Sequence, residues 1–228
     1  MAKVLLQINH LKTVLDSFTL RDISFTATAG DIIGIIGENG SGKTSLLKSI
    51  VGIYPLSDGN IHLDTDQIGF AFDSIPFPQK LTIKELSNVL KNLLPSWQSK
   101  TFDAYVDSFN LPRNTPLEKF SKGMKMQFSV AVTLSHKASL LLFDEITSGL
   151  DPIVRNTVLE AIKNYVITNH AAVIMTTHNL DDVIKIGTRF ILLDNGKIIL
   201  ERSINYDDNA TSLEQDFVQA VKDWGNQR

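Results

Sequence analysis

Ile32-Ile33-Gly34-Ile35-Ile36-Gly37-Glu38-Asn39-Gly40-Ser41-Gly42-Lys43-Thr44 is the stretch whose reading decides the fold. Its first five residues form a continuous apolar run, rich in β-branched side chains, which suits a strand buried on both faces. The next eight match the pattern G-x-x-x-x-G-K-S/T in full. Leu46, Leu47, Ile50 and Val51 then recur at helical spacing, predicting a helix over 44–51 that Gly52 is placed to end. Strand, glycine loop and helix in this order build a phosphate site. The glycines let the backbone curl so that successive N–H groups point inward, and the helix N-terminus adds its positive dipole end. Lys43 supplies a charge for the β- and γ-phosphates, and the Thr44 hydroxyl can coordinate Mg²⁺.

Outward from this stretch, a second apolar run, Leu140-Leu141-Leu142-Phe143, ends in Asp144-Glu145, 101 residues after Lys43. Two carboxylates at the carboxyl end of a buried parallel strand stand where ligands bind. Asp144 can hold Mg²⁺, and Glu145 can polarise a water for attack on a phosphate. A third buried strand is predicted over 172–176, followed by His178, and a hairpin turns at Asp194-Asn195-Gly196. The segments 4–8, 23–25, 61–63 and 68–70 read as further strands, with Ser57-Asp58-Gly59-Asn60 as a turn. From 81 to about 132 the pattern is helical, broken by Pro95, Pro112 and Pro116. Pro152 opens a helix to about 167, and 180–186 is a short one. Buried strands alternating with helices predict an α/β domain with a largely parallel sheet. It is expected to span 1–228, with an antiparallel β region at the N-terminus and an inserted helical subdomain at about 78–136.

Composition narrows the chemistry. The 228 residues carry a net charge of −3 and no cysteine. A disulfide scaffold, a Cys-ligated zinc site, an iron–sulfur cluster and a thiol nucleophile are excluded. A slightly acidic chain makes a poor general nucleic-acid binder, so no nucleic-acid partner is expected. The longest apolar stretches fall far short of the ~20 residues a spanning helix needs, and the N-terminus does not read as a signal peptide. A cytoplasmic protein is expected, one that must dock onto something else if it works at a membrane.

Three weaker signals complete the pattern: Phe120-Ser121-Lys122-Gly123-Met124, Ser148-Gly149-Leu150-Asp151, and His178. Taken in order with the first two, they resemble the ATP-binding-cassette (ABC) ATPases along essentially the whole chain. The resemblance implies a P-loop NTPase fold that binds ATP with Mg²⁺. Residues 37–44 with Ser45 would form the phosphate loop, and Ser121 and Gly123 would stand in the signature usually written LSGGQ. Asp144 and Glu145 would be the second nucleotide motif and its catalytic glutamate, residues 148–151 the D-loop, and His178 the switch histidine. It further implies a homodimer or heterodimer with a second ATP-binding subunit, each nucleotide lying between one phosphate loop and the other signature. A separate integral-membrane permease would place the chain on the inner face of the membrane. The form SKGMK, with Pro95-Ser96-Trp97, Phe102 and Phe109, resembles a subgroup of bacterial ABC-2 exporters linked to antibiotic resistance, peptide export or sodium extrusion. A soluble, non-transport ABC ATPase of assembly or repair is the alternative.

The sequence departs from the family pattern at several places. Asp73 stands where a Mg²⁺-sensing glutamine is usual; Asp can still reach the ion through water. Lys122 and Met124 replace Gly and Gln, and Ile146 replaces Pro, which should loosen the turn after Glu145. Phe18 is the only aromatic over 11–18, and reads either as an adenine platform or as a core-facing strand residue. The apolar stretch 73–80 offers Ile75 and Phe77 either as a rim for a partner's helix or as packing under the helical lobe. After residue 200 only a short helical tail is expected, which reads as a minimal nucleotide-binding subunit.

Overall fold

The computed structural model describes residues 2–65, 67–205, 208 and 210–225, with backbone alone at 210 and 217. Strand β1 (Val4–Leu15) pairs antiparallel with β2 (Phe18–Thr28), and β3 (Ile32–Ile36) follows. After α1 (Lys43–Ile50) come β4 (Asp58–Leu63) and β5 (Ile68–Ala71). Three helices then run in succession: α2 (Ile83–Leu93), α3 (Ser99–Ser108) and α4 (Lys122–Thr133). The chain closes with β6 (Leu140–Asp144), α5 (Pro152–Asn169), β7 (Ala172–Thr177), α6 (Leu180–Ile186), β8 (Arg189–Asp194), β9 (Lys197–Ser203) and α7 (Ala210–Gly225).

The main sheet has the order β5-β6-β7-β3-β8-β9 and is parallel except at β9. β3, β6 and β7 are buried at every position, which is why their sequences are unbroken apolar runs rather than alternations. β9 returns through a turn in which Asn195 and Gly196 both have positive φ, 44° and 76°, as a tight two-residue hairpin requires. A smaller antiparallel sheet, β2-β1-β4, packs against the face that carries Leu46, Leu47 and Ile50 of α1. Among the described residues no helix is long and apolar enough to cross a membrane.

One local expectation fails. Asp58-Gly59-Asn60 is the start of β4, not a turn. The backbone of Gly59 passes so close to β1 that a Cβ there would lie 2.3 Å from the His10 carbonyl oxygen. Glycine is demanded by this close approach and by a φ of 79°, so the residue that looked like turn chemistry is a strand contact. The tail helix α7 is fixed by its own polar ties: Trp224 Nε1 donates to Asp194 Oδ2 at 2.9 Å, and Arg202 pairs with Asp208 and Asp216.

Between β5 and β6, α3 and α4 are joined by aromatic packing. Phe128 of α4 meets Phe102 of α3 edge-on, with centroids 6.1 Å apart, and Trp97 packs on Phe102 at 4.9 Å. Phe77 packs edge-on against Phe128 at 5.5 Å, and both Ile75 and Phe77 join this core half-buried. Helix α2 starts with a capping box, in which Thr82 and Glu85 exchange hydrogen bonds. Because Phe128 is fully buried and touches two other rings, Phe128→Ala should cost about 3–5 kcal/mol of stability. Urea unfolding would show a lowered midpoint, and a loss below about 1 kcal/mol would show that this cluster is not what joins α3 to α4.

Candidate functional site

The parallel register brings three strand ends to one edge. Asp144 on β6 stands opposite Thr176 on β7, and Ile36 at the end of β3 stands opposite Thr177. The loop 37–44, the pair Asp144-Glu145, and Thr177-His178 therefore leave the sheet side by side.

The loop curls around its own lysine. Lys43 is only 5 % exposed; its ammonium donates to the carbonyls of Gly37 at 2.8 Å and Glu38 at 3.0 Å. Gly40 and Gly42 take φ of 85° and 109°, in the left-handed region. Gly42 opens α1, and a Cβ on it would lie 2.5 Å from the Phe18 ring, so glycine is required on both counts. Ser41 Oγ is buried and has no hydrogen-bond partner among the described residues. An orphaned hydroxyl in a ring of glycines fits a loop shaped to receive further acceptor oxygens, as phosphates supply. A cavity of about 430 Å³ opens here, lined by Ser17, Phe18, Asn39, Gly40, Gly42, Lys43, Thr44, Ser45 and Glu145. Phe18 packs on the small-sheet core and also lines this cavity.

Asp144 is held by two hydroxyls. Thr44 Oγ1 donates to its oxygens at 2.9 and 3.0 Å, and Thr176 Oγ1 donates at 2.8 Å. The carboxyl is nevertheless held above its ordinary range. Burial is the main cause, the two hydroxyl donors work against it, and the charges of Asp73 and Glu145 add to it. Asp73 is exposed, and among the described residues no three acidic or imidazole side chains are placed to hold a metal ion together. The oxygens of Thr44 and Asp144 are the donors suited to a hard cation such as Mg²⁺.

Glu145 lies between a lysine and a histidine. One carboxylate oxygen lies 3.5 Å from Lys43 Nζ, and the other lies 3.7 Å from Nδ1 of the half-exposed His178. Glu145 adopts a φ of 48°, unusual for a side chain of this size, and its N–H donates to Thr176 Oγ1 at 2.9 Å. Ile146 does not loosen this turn: it is fully buried in the main core and anchors the chain directly after Glu145.

Ser121 and Gly123 do not line the cavity. Ser121 caps α4, accepting from the Met124 N–H at 3.2 Å. A Cβ on Gly123 would meet only ordinary contacts, 3.7 Å or more away, on Leu150, Ser121 and Val154. Thr176, Thr147, Arg155 and Asp182 were missed by sequence reasoning. The one available signal was the polar pair Thr176-Thr177 ending an otherwise apolar strand.

The state of Asp144 generates a test. A carboxyl held above its ordinary value of 3.8 binds its proton more tightly in the folded chain than in the unfolded one. Stability is therefore lost as pH rises through the folded value, and the penalty vanishes below the unfolded one. At pH 7 without nucleotide, Asp144→Asn should melt above wild type, and the gap should narrow as pH falls toward 3.8. Thermal unfolding across this range checks it; an Asn variant less stable than wild type at pH 7 contradicts it.

Comparisons with known proteins agree with this geometry. The family model described as "ABC transporter" matches residues 20–148. The linearmycin resistance ATP-binding protein LnrL of Bacillus subtilis (strain 168) is 30% identical over 212 residues, covering 86% of this chain and 68% of that protein. The metal-staphylopine import system ATP-binding protein CntD of Staphylococcus aureus (strain Mu50 / ATCC 700699) is 29% identical over 233 residues, covering 86% and 84%. A solved ATP-binding subunit of an ABC transporter superposes with a TM-score of 0.82 at 22% identity, covering 95% of this chain and 99% of that one. With more than half of the chain inside the family model and the fold shared along nearly all of it, this chain belongs to the ABC transporter family as an ATP-binding, ATP-hydrolysing subunit.

Proposed function

We propose that this chain powers a bacterial exporter, working as one of two ATP-binding subunits docked on a separate integral-membrane permease at the inner face of the membrane. The observation that carries the catalytic part is the line Lys43–Glu145–His178 beside the Thr44–Asp144 pair. In this reading Lys43 leaves the Gly37 and Glu38 carbonyls for the β- and γ-phosphates, which are stronger acceptors for an ammonium. The N–H groups of the loop 37–44 and Ser45 hold the remaining phosphate oxygens, and Phe18 flanks the nucleotide at the cavity mouth. Thr44 and Asp144 would hold Mg²⁺, which when bound neutralises phosphate charge; Asp73 would reach it through water. Glu145 accepts a proton from the attacking water, and His178, 3.7 Å from its other oxygen, fixes the carboxylate's orientation.

The second subunit is supported by Gly123. Nothing among the described residues requires glycine there, so the demand for a small residue is best met by something approaching from outside. Ser121 and Gly123 at the start of α4 would face the nucleotide of the other copy. For the permease, a groove of about 550 Å³ lies between Asp73, Ser74, Ile75 and Gln79 on one side and Phe120, Lys122, Lys125 and Met126 on the other. A cytoplasmic helix of the permease would seat there against Ile75. Phe77 is committed to the ring of Phe128, so Ile75 is the better anchor of the two. Export is supported by the SKGMK signature form and by a relative named for linearmycin resistance, while another relative is named for import.

Two substitutions test the catalytic reading. Lys43→Ala should weaken ATP binding about tenfold or more, since it removes charge-assisted bonds worth about 1.5–3 kcal/mol. Nucleotide titration decides it, and wild-type affinity would remove Lys43 from the site. Glu145→Gln should bind ATP normally yet lose about 10²–10⁴ in turnover, because the amide is a far poorer proton acceptor. With the γ-phosphate uncleaved, MgATP should then accumulate a dimer on size exclusion. Robust phosphate release by this variant would assign the water to another group.

A further inference from the structure

Asp182 of α6 is 1 % exposed, yet the functional reading above gives it no part. Its carboxylate is fully engaged. Oδ2 accepts from Thr147 Oγ1 at 2.7 Å and from Thr177 Oγ1 at 3.1 Å, and Oδ1 accepts from Arg155 Nε. These donors come from three separate segments. Thr147 lies two residues beyond Glu145, Thr177 immediately precedes His178, and Arg155 sits on α5 in the turn after Asp151. Helix α6 itself lies directly on the central strand, since a Cβ on Gly34 of β3 would stand 2.4 Å from the Val183 side chain. The carboxylate is thus anchored to the sheet and reaches both segments that carry the catalytic pair.

Each hydroxyl has one proton to give. Thr147 spends its own on Asp182. Thr177 accepts from the Asn179 N–H at 3.0 Å and directs its proton to Asp182 at 3.1 Å rather than to the Asn179 carbonyl at 3.4 Å. That arrangement fixes the turn 177–179, and with it the backbone of His178. A buried carboxylate is tolerated only when it is paired and hydrogen-bonded, and here the ion pair comes from Arg155 and the further hydrogen bonds from Thr147 and Thr177. The Arg155 ion pair alone would satisfy a purely structural need to join α5 to α6. The two threonines add a tie that runs specifically between the Glu145 and His178 segments.

We infer that Asp182 is a positioning residue for ATP hydrolysis: by gathering Thr147 and Thr177 on one carboxylate it sets the 3.7 Å separation of Glu145 and His178. The inference rests on the proposed roles of Glu145 and His178. It predicts damage to turnover without damage to nucleotide binding, because Lys43, Thr44 and Asp144 are held by other bonds.

The test is the double variant Thr147→Val, Thr177→Val in the full chain, which removes both hydroxyls at similar shape and leaves the Arg155–Asp182 pair intact. ATP affinity is measured by titration, and kcat and KM by phosphate release with MgATP. Affinity and KM should stay at wild-type values while kcat falls about tenfold or more, the size of effect expected when reacting groups are misplaced by a fraction of an ångström to an ångström. Asp182→Asn should show the same split more severely; if it fails to fold, the threonine pair still decides. Wild-type kcat in a folded double variant overturns the inference, as does a parallel loss of kcat and affinity. Glu145→Gln, run alongside, separates the two readings. An inactive Glu145→Gln with an unimpaired double variant removes the role of Asp182 alone, whereas a fully active Glu145→Gln removes the catalytic reading and this inference with it.

Discussion

The hydrogen-bonded series Thr44–Asp144–Thr176 is the join from which the rest of the site hangs. It links the first turn of α1 to the ends of β6 and β7, three elements far apart in sequence. Nothing local to Asp144 could hold it there. The parallel register does so, by setting Asp144 opposite Thr176 and both beside the strand that feeds the phosphate loop. The same Thr176 hydroxyl that donates to Asp144 accepts the N–H of Glu145. One threonine thereby orients the candidate metal ligand and the backbone of the candidate base together. This is what a parallel α/β sheet offers: strand ends that converge without needing to be neighbours in the chain.

Legibility in the sequence follows from where each feature's cause lies. The run 32–44 could be read because each part of it is self-contained: a strand buried on both faces, a loop whose glycines are needed for its own curl, and a helix with its own stripe. The strand ending in Asp144-Glu145 was readable for the same reason. β4 was half missed because the reason for Gly59 is the backbone of His10, 49 residues away, and sequence shows a glycine without showing what approaches it. Phe77 shows the same limit. Its neighbours in sequence are exposed and include two prolines, so it reads as rim, while its partner Phe128 comes from a distant helix. Asp182 was invisible because it sits in a short helix whose first turn also holds Asp181, and nothing in the pattern tells the buried one from the exposed one.

The departures from the family pattern take on physical content once placed. Ile146 stands where proline is usual and holds the turn by burial instead of by a ring-locked φ. That substitution keeps Glu145 in place through packing, and Glu145 then carries the unfavourable φ that such a turn demands. Lys122 lies across Gly149, its ammonium 3.1 Å from where a Cβ would be, so the start of α4 touches the segment that follows Glu145. The Lys122 side chain is therefore part of a contact within this chain.

Local rules are broken at this edge more densely than elsewhere in the sheet. A lysine is buried, an aspartate is held above its ordinary range, a glutamate takes a left-handed φ, and a serine hydroxyl is left without a partner. Each is unfavourable for the folded chain; a backbone outlier such as Glu145 alone costs about 1–3 kcal/mol. A sequence shaped for stability alone would relieve them with small changes, as Asn at 144 would. Their persistence side by side, on a framework of tightly packed apolar strands, marks the place where folding is compromised for chemistry. The motif and the strain point to the same residues by independent routes, since a glycine-rich pattern says nothing of the φ of Glu145 or the burial of Asp144. The glycine-rich loop supplies the curl that suits phosphate oxygens, and the buried lysine, the raised carboxyl and the strained glutamate gather around that same loop.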